Sequence, residues 1–290
     1  MNDVLVVDGA CADASAKVVP FQDRGFLYGE GAFETLRTYG GLPFAVEEHL
    51  SLLESACAGF SALPFPREVI LASIDVALAV RAEAETTLRL VVTGGSAPPG
   101  ATASAAKLSV YVHAADLAPE PLELRSRGAN LITAAPVFGP GADELGLPFK
   151  SLSYLPQIAL LRRARSAGAD EVVIVTDTGD VREAATANLV LVAEGALVTP
   201  AGFLREGVTA GQLLAAAPSL GLRASRRRVR LPELFAAEAV FLVSTLREIV
   251  PVATLDGHSL RTRYPYRTLL AALRARAAAC ASPAAMIGRE

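Results

Sequence analysis

Lys150 stands in the run Phe149-Lys150-Ser151-Leu152-Ser153-Tyr154-Leu155-Pro156 and is one of only three lysines, with Lys17 and Lys107, in a chain that otherwise draws its positive charge from arginine. Arginine keeps its proton at any pH a protein meets. A lysine can be made neutral by burial or a neighbouring charge, and its amine can then attack a carbonyl. Lys150 is therefore a candidate for Schiff-base chemistry. The plain alternative is a lysine lying along a helix start with its head in water. The rest of the sequence decides between them.

Glu183 follows, in Val181-Arg182-Glu183-Ala184-Ala185-Thr186-Ala187-Asn188-Leu189-Val190, where it reads as a carboxylate at a turn just ahead of an apolar strand. A lysine and a distant carboxylate match the needs of pyridoxal phosphate. That cofactor requires an amine to hold its aldehyde and an anion to keep its ring nitrogen protonated, so that the ring can accept electrons. Its phosphate requires backbone N–H groups, best supplied at a helix N-terminus. Gly207-Val208-Thr209-Ala210-Gly211 leads into a helical stretch, and Ser244-Thr245 ends a strand-like one. Singly these are an N-cap and a turn; in this order they form a set.

The elements that would position this set are legible as patterns. Strands are expected over 32–39 and 42–46, flanking Gly40-Gly41, the composition of a two-residue hairpin turn. Helical spacing runs over 47–59 and 66–82, the second opening at Pro66. Strands follow over 87–93 and 107–113. After a proline-bearing linker the pattern restarts with a strand over 130–134, a Gly/Pro loop to 148, and a helix over 151–167 ended by Gly168. Further strands are expected over 171–176, 188–192 and 239–243, and helices over 209–218 and 264–280. This mixture predicts two α+β domains, 1–115 and 122–290, joined by a linker at 116–121, with Lys150 in the second.

Bulk composition agrees with such a protein. With 290 residues, 52% of them hydrophobic, the chain can bury substantial cores. A net charge of −3 with scattered arginines gives no basic face for nucleic acid. No apolar run is long enough to span a bilayer, and the start of the chain alternates like a strand rather than a signal peptide. Cys11, Cys57 and Cys280, odd in number and far apart, suit reduced thiols in a cytoplasm. His49, His113 and His258 have no metal-ligand spacing, so no metal is expected.

At this point the chain resembles the class IV, or fold-type IV, pyridoxal phosphate-dependent aminotransferases, which include D-amino-acid and branched-chain aminotransferases and 4-amino-4-deoxychorismate lyase. The resemblance is carried by residues 23–37, by Glu47-Glu48-His49-Leu50, by the Lys150 run, by 183–188, by Gly207-Val208-Thr209 and by 244–252. It implies a cofactor between the two domains, with Lys150 as its covalent anchor and Glu183 as the partner of the ring nitrogen. Tyr154 is similar to the tyrosine that bonds the ring hydroxyl in some members, and Val208, Thr209, Ser244 and Thr245 to phosphate ligands. Lys150, once displaced by a substrate amine, would serve as the general base at Cα. The resemblance also implies a homodimer whose second subunit completes the substrate pocket. The expected reaction moves an amino group between a small amino acid, a D-amino acid included, or an amine and a 2-keto acid. The alternative is pyruvate elimination by a 4-amino-4-deoxychorismate lyase.

Two departures qualify the resemblance. An arginine that normally follows Glu-Glu-His-Leu and grips the phosphate is Leu52 here, which leaves His49 as the nearest substitute. The arginine-bearing loop that follows the strand over 87–93 in many relatives is Thr93-Gly94-Gly95-Ser96 here. The substrate carboxylate must then be met elsewhere: Arg24 and Arg89, with Tyr28, are the first candidates, and Arg37 and Arg247 the others.

Overall fold

The computed structural model describes residues 3–13, 15–81, 85–118, 120–136, 150–201 and 207–280. They fall into two compact units, one running to residue 118 and taking in 150–154, the other comprising 120–136 and 155–279.

The first unit is an antiparallel sheet covered by two helices. Its elements are β1 (Val4–Val7), β2 (Ala10–Ala12), α1 (Arg24–Tyr28), β3 (Gly31–Tyr39), β4 (Leu42–Pro43), α2 (Val46–Ala58), α3 (Arg67–Arg81), β5 (Thr86–Thr93) and β6 (Ser109–Asp116). The strands lie in the order β2-β1-β6-β5-β3-β4. Alternate residues of a strand share a face, so Ala32 and Leu36 of β3 and Leu88, Leu90 and Val92 of β5 point together into a core closed by Leu50 and Leu53 of α2 and Ile70 and Ile74 of α3. The helical spacing of those residues is what makes both helices amphipathic.

The expected helix over 151–167 begins only at Leu155, as α5 below. Residues 150–154 instead dock on β3: Phe33 N–H donates to the Lys150 carbonyl at 2.9 Å and Leu152 N–H to the Gly31 carbonyl at 2.9 Å. Gly31 permits this approach, because a Cβ there would stand 2.6 Å from Leu152 Cδ1 and 2.7 Å from the Val92 carbonyl oxygen. Lys150 therefore belongs to the first unit, not to the second as the pattern along the chain suggested. Backbone pairing across the fold has overridden proximity in sequence. The expected loop preceding it, 137–148, lies outside the described residues.

The second unit contains α4 (Leu122–Arg127), β7 (Ala129–Ala134), α5 (Leu155–Ser166), β8 (Glu171–Val175), β9 (Val181–Ala184), β10 (Asn188–Ala193), β11 (Ala196–Pro200), α6 (Val208–Ala216), a 3-10 turn at Ala217–Leu220, β12 (Arg223–Arg227), α7 (Leu231–Ala236), β13 (Ala239–Ser244), β14 (Glu248–Leu255), β15 (His258–Ser259) and α8 (Tyr266–Cys280). Its mixed sheet runs β12-β11-β10-β13-β14-β7-β8-β9, with β15 on β14. Leu189, Leu191, Leu242, Val250 and Val252 fill its main core. Glu183 sits inside β9 and not at a turn. The turn follows it, closed by Ala184 N–H to the Ala187 carbonyl at 2.9 Å. A four-residue strand is too short for alternation to reveal.

Candidate functional site

In the first unit the site is built around a carboxylate. Glu34 shares the face of β3 that carries Ala32 and Leu36, and its exposure is 0%. A charge in that position persists only with partners. Two meet its Oε2: Lys150 Nζ donates at 2.7 Å, and His49 Nδ1 lies at 3.0 Å. Burial pushes His49 down to about 3, the positive charge of Lys150 adds to this, and Glu48 opposes it. The imidazole is thus neutral, and it meets an anion best with its N–H at Nδ1.

The other face of the same sheet carries a cation. Arg89 on β5 lies across from Thr35. Its guanidinium sits 3.3 Å from the centroid of the Phe33 ring and donates to Thr35 Oγ1 at 3.3 Å. No carboxylate pairs with it among the described residues. Burial lowers its pKa to about 10, with Tyr154 acting weakly the other way. Phe33 ties the two faces together: its N–H holds the Lys150 carbonyl, and its ring meets Tyr154 edge-on at 5.2 Å. Lys150, Tyr154 and Arg89, all named from the sequence, thus gather around Phe33.

In the second unit Asn188 Nδ2 donates to Glu183 Oε2 at 3.1 Å. A Cβ at Gly207 would collide with the side chain of Asn188, so the N-cap of α6 needs glycine. One asparagine therefore brings the Glu183 carboxylate beside the start of α6. The first bond of that helix is Gly211 N–H to the Gly207 carbonyl at 2.9 Å, which leaves the N–H groups of Val208, Thr209 and Ala210 without acceptors in the helix. Thr209 Oγ1 lies 3.4 Å from Thr245 Oγ1, after the end of β13. Ser244 Oγ accepts from the Arg247 N–H at 3.4 Å and shapes the turn.

The remaining arginines are committed to the fold. Arg24 Nε and Nη2 donate to Glu30 Oε2 at 2.8 and 2.6 Å, and Nη1 and Nη2 to the carbonyls of Gly100 and Ala101. The expectation that Arg24 grips a substrate is corrected by this: its guanidinium braces the loop after β5. Tyr28 Oη accepts from Gly100 N–H at 2.9 Å in the same brace. Arg247 pairs with the buried Glu171 at 2.9 Å, and Arg37 stacks on Tyr39 at 4.3 Å. Sequence reasoning passed over Glu34, Asn188 and the cap role of Gly207. Glu34 had a visible signal, a charge on the apolar phase of an alternating strand; the other two had none beyond their motifs.

Residues 31–255 match the amino-transferase class IV family, and the chain belongs to it. A putative branched-chain-amino-acid aminotransferase of Methanocaldococcus jannaschii is 30% identical over 263 residues, covering 89% of this chain and 90% of that one. A bifunctional aminodeoxychorismate lyase / D-amino acid transaminase of Mycobacterium tuberculosis is 29% identical over 279 residues, covering 89% and 92%. Among solved structures, a hypothetical aminotransferase from Mycobacterium tuberculosis with α-ketoglutarate and pyridoxamine phosphate bound superposes with a TM-score of 0.83 at 26% identity, over 94% of this chain and 98% of that one. The cofactor is pyridoxal phosphate, and the donor set fits it: an amine on Lys150, a hydrogen-bonded carboxylate on Glu183, and hydroxyls and free N–H groups at the start of α6.

Proposed function

We propose that this class IV enzyme moves an amino group between a small amino acid, D-amino acids included, or an amine and a 2-keto acid, with Lys150 holding the cofactor aldehyde and Glu183 facing its ring nitrogen. Bound pyridoxal phosphate supplies the electron sink for the bond broken at Cα. Lys150 Nζ accepts the Cα proton and returns it. Val208, Thr209, Ser244 and Thr245 receive the phosphate, and Tyr154 the ring hydroxyl. The observation that carries the substrate class is Arg89. A desolvated guanidinium on an aromatic ring, with no carboxylate partner among the described residues, is matched by the carboxylate of an amino or keto acid, in a bidentate pair.

Two further assignments accompany this one. Phe21 and Phe26, 72% and 65% exposed with their rings 6.1 Å apart, and Val19 form an apolar surface that supports a homodimer. Cys11 and Cys57 are free thiols, in keeping with a reducing cytoplasm. Light scattering on the purified protein reads the first, with a mass of one chain counting against it.

The bifunctional relative favours a second reading, pyruvate elimination from 4-amino-4-deoxychorismate. One experiment separates the two. Purified enzyme loaded with pyridoxal phosphate is given D-alanine, L-alanine or L-glutamate alone and followed by absorbance. A transaminase passes to the amine form of its cofactor and stays there until a keto acid is added. Unchanged absorbance with every donor, together with pyruvate release from aminodeoxychorismate, would establish the lyase instead.

A further inference from the structure

Lys150 is usually considered for its reactive end, but here its amine is bound to a buried pair on the other side. Glu34 comes from β3 and His49 from the buried face of α2, with exposures of 0% and 2%. Both meet at one oxygen, Glu34 Oε2, which also accepts from Lys150 Nζ. Other charged and titratable groups near this cluster are Glu48, one residue before His49, and Arg89 with Tyr154 around Phe33.

We propose that Glu34, oriented by His49, is the positioning residue of the Lys150 amine and stabilises the ammonium that forms when Nζ takes up a proton. The inference rests on the reading of Lys150 as the reactive lysine. A base that ends its step as a cation gains driving force from an anion already in place, with no solvent left to reorganise. Glu34 supplies that anion. The neutral imidazole donates to it, fixes which oxygen faces the amine, and favours the ionised carboxylate. The three side chains form a line in which only the outermost group touches reactants. No covalent change occurs in Glu34 or His49. The proton received at Nζ leaves again from Nζ.

The test uses the cofactor-free full chain and competitive labelling with a limiting amount of acetic anhydride, read at each lysine by mass spectrometry across pH. Lys107, an exposed lysine paired with Asp8 at 2.7 Å, is the internal reference. In E34Q the labelling of Lys150 relative to Lys107 is expected to begin at lower pH and to be roughly tenfold faster near neutrality. H49L shifts it in the same direction by less, and H49N, which keeps a donor near the Nδ1 position, stays near wild type. Should E34Q fold poorly, H49L and E34D, which keeps the charge one methylene further back, decide the matter. With the cofactor loaded, turnover of E34Q falls about tenfold or more while KM stays within about threefold. Identical labelling profiles for wild type, E34Q and H49L would overturn the proposal. A separate arm treats loaded wild-type enzyme with borohydride and maps the adduct. No adduct on Lys150 would overturn the reading of the lysine itself, whatever the labelling shows.

Discussion

The two sets of residues proposed for the chemistry, one in each unit, are made in different ways. In the first unit Lys150, Glu34 and His49 come from three separate stretches of chain, and two of them are almost wholly buried. In the second unit Glu183 and Asn188 lie five residues apart on either side of one turn, and the groups proposed for the phosphate lie at a helix start and a strand end. Buried charges depend on one another, so the first set joins chemistry to stability. Half-exposed polar groups beside a turn can be altered with little cost to the fold, so the second set keeps the two apart.

That contrast can be broken most directly at Lys150. K150A is expected to lower turnover by roughly a thousandfold or more, since it removes the proposed anchor and base together. It also leaves Glu34 buried beside an absent cation, so the melting temperature falls with activity. E183Q, in the other set, should lower turnover by roughly a hundredfold with the melting temperature held within a degree or two. Equal thermal effects in the two variants would abolish the distinction. R89M should raise KM for amino and keto acids by roughly ten- to a hundredfold, the value of a charge-assisted pair. Its stability should hold or rise, because the cation removed has no carboxylate partner among the described residues.

A further effect is expected in pH. His49 has an ordinary pKa of 6.5 in the unfolded chain and about 3 when folded. Between those values the unfolded state binds more protons, so stability is fully present above 6.5 and is lost as pH falls toward 3. The slope is at most about 1.4 kcal/mol per pH unit. Denaturant melts of wild type and H49N from pH 7 to 4 should show this slope only in the wild type.

Much of this was legible in the sequence. Lys150, Glu183, Thr209 and Thr245 stood in ordered motifs, and the strand alternation of β3 and β5 and the helical spacing of α2 and α3 placed most elements of the first unit. The division between units was not. Residues 150–154 read as the approach to a helix, and only the backbone bonds to Gly31 and Phe33, more than a hundred positions earlier, assign them to the first sheet. Nor could spacing tell Arg24 from Arg89. The two differ in whether a carboxylate already occupies the guanidinium, and Glu30 settles that only in three dimensions. Leu52 is half-buried on α2, and His49, weighed as the stand-in for the missing arginine, turns to Glu34.

The docking of residues 150–154 on β3 also sets an order of assembly. A nascent chain can pair β3 with β5 and β5 with β6 early, but the N–H of Phe33 and the carbonyl of Gly31 wait for partners until residue 152 has been made. At synthesis rates of about 5–20 residues per second, the interval between residue 118 and residue 154 is roughly 2–7 s. During it the first unit has its core and its buried Glu34 but not its lysine, and His49 is the partner already at that oxygen. Among the described residues the last strip of chain to join this sheet is the one that brings the Lys150 amine, so the proposed base arrives only as the sheet is finished.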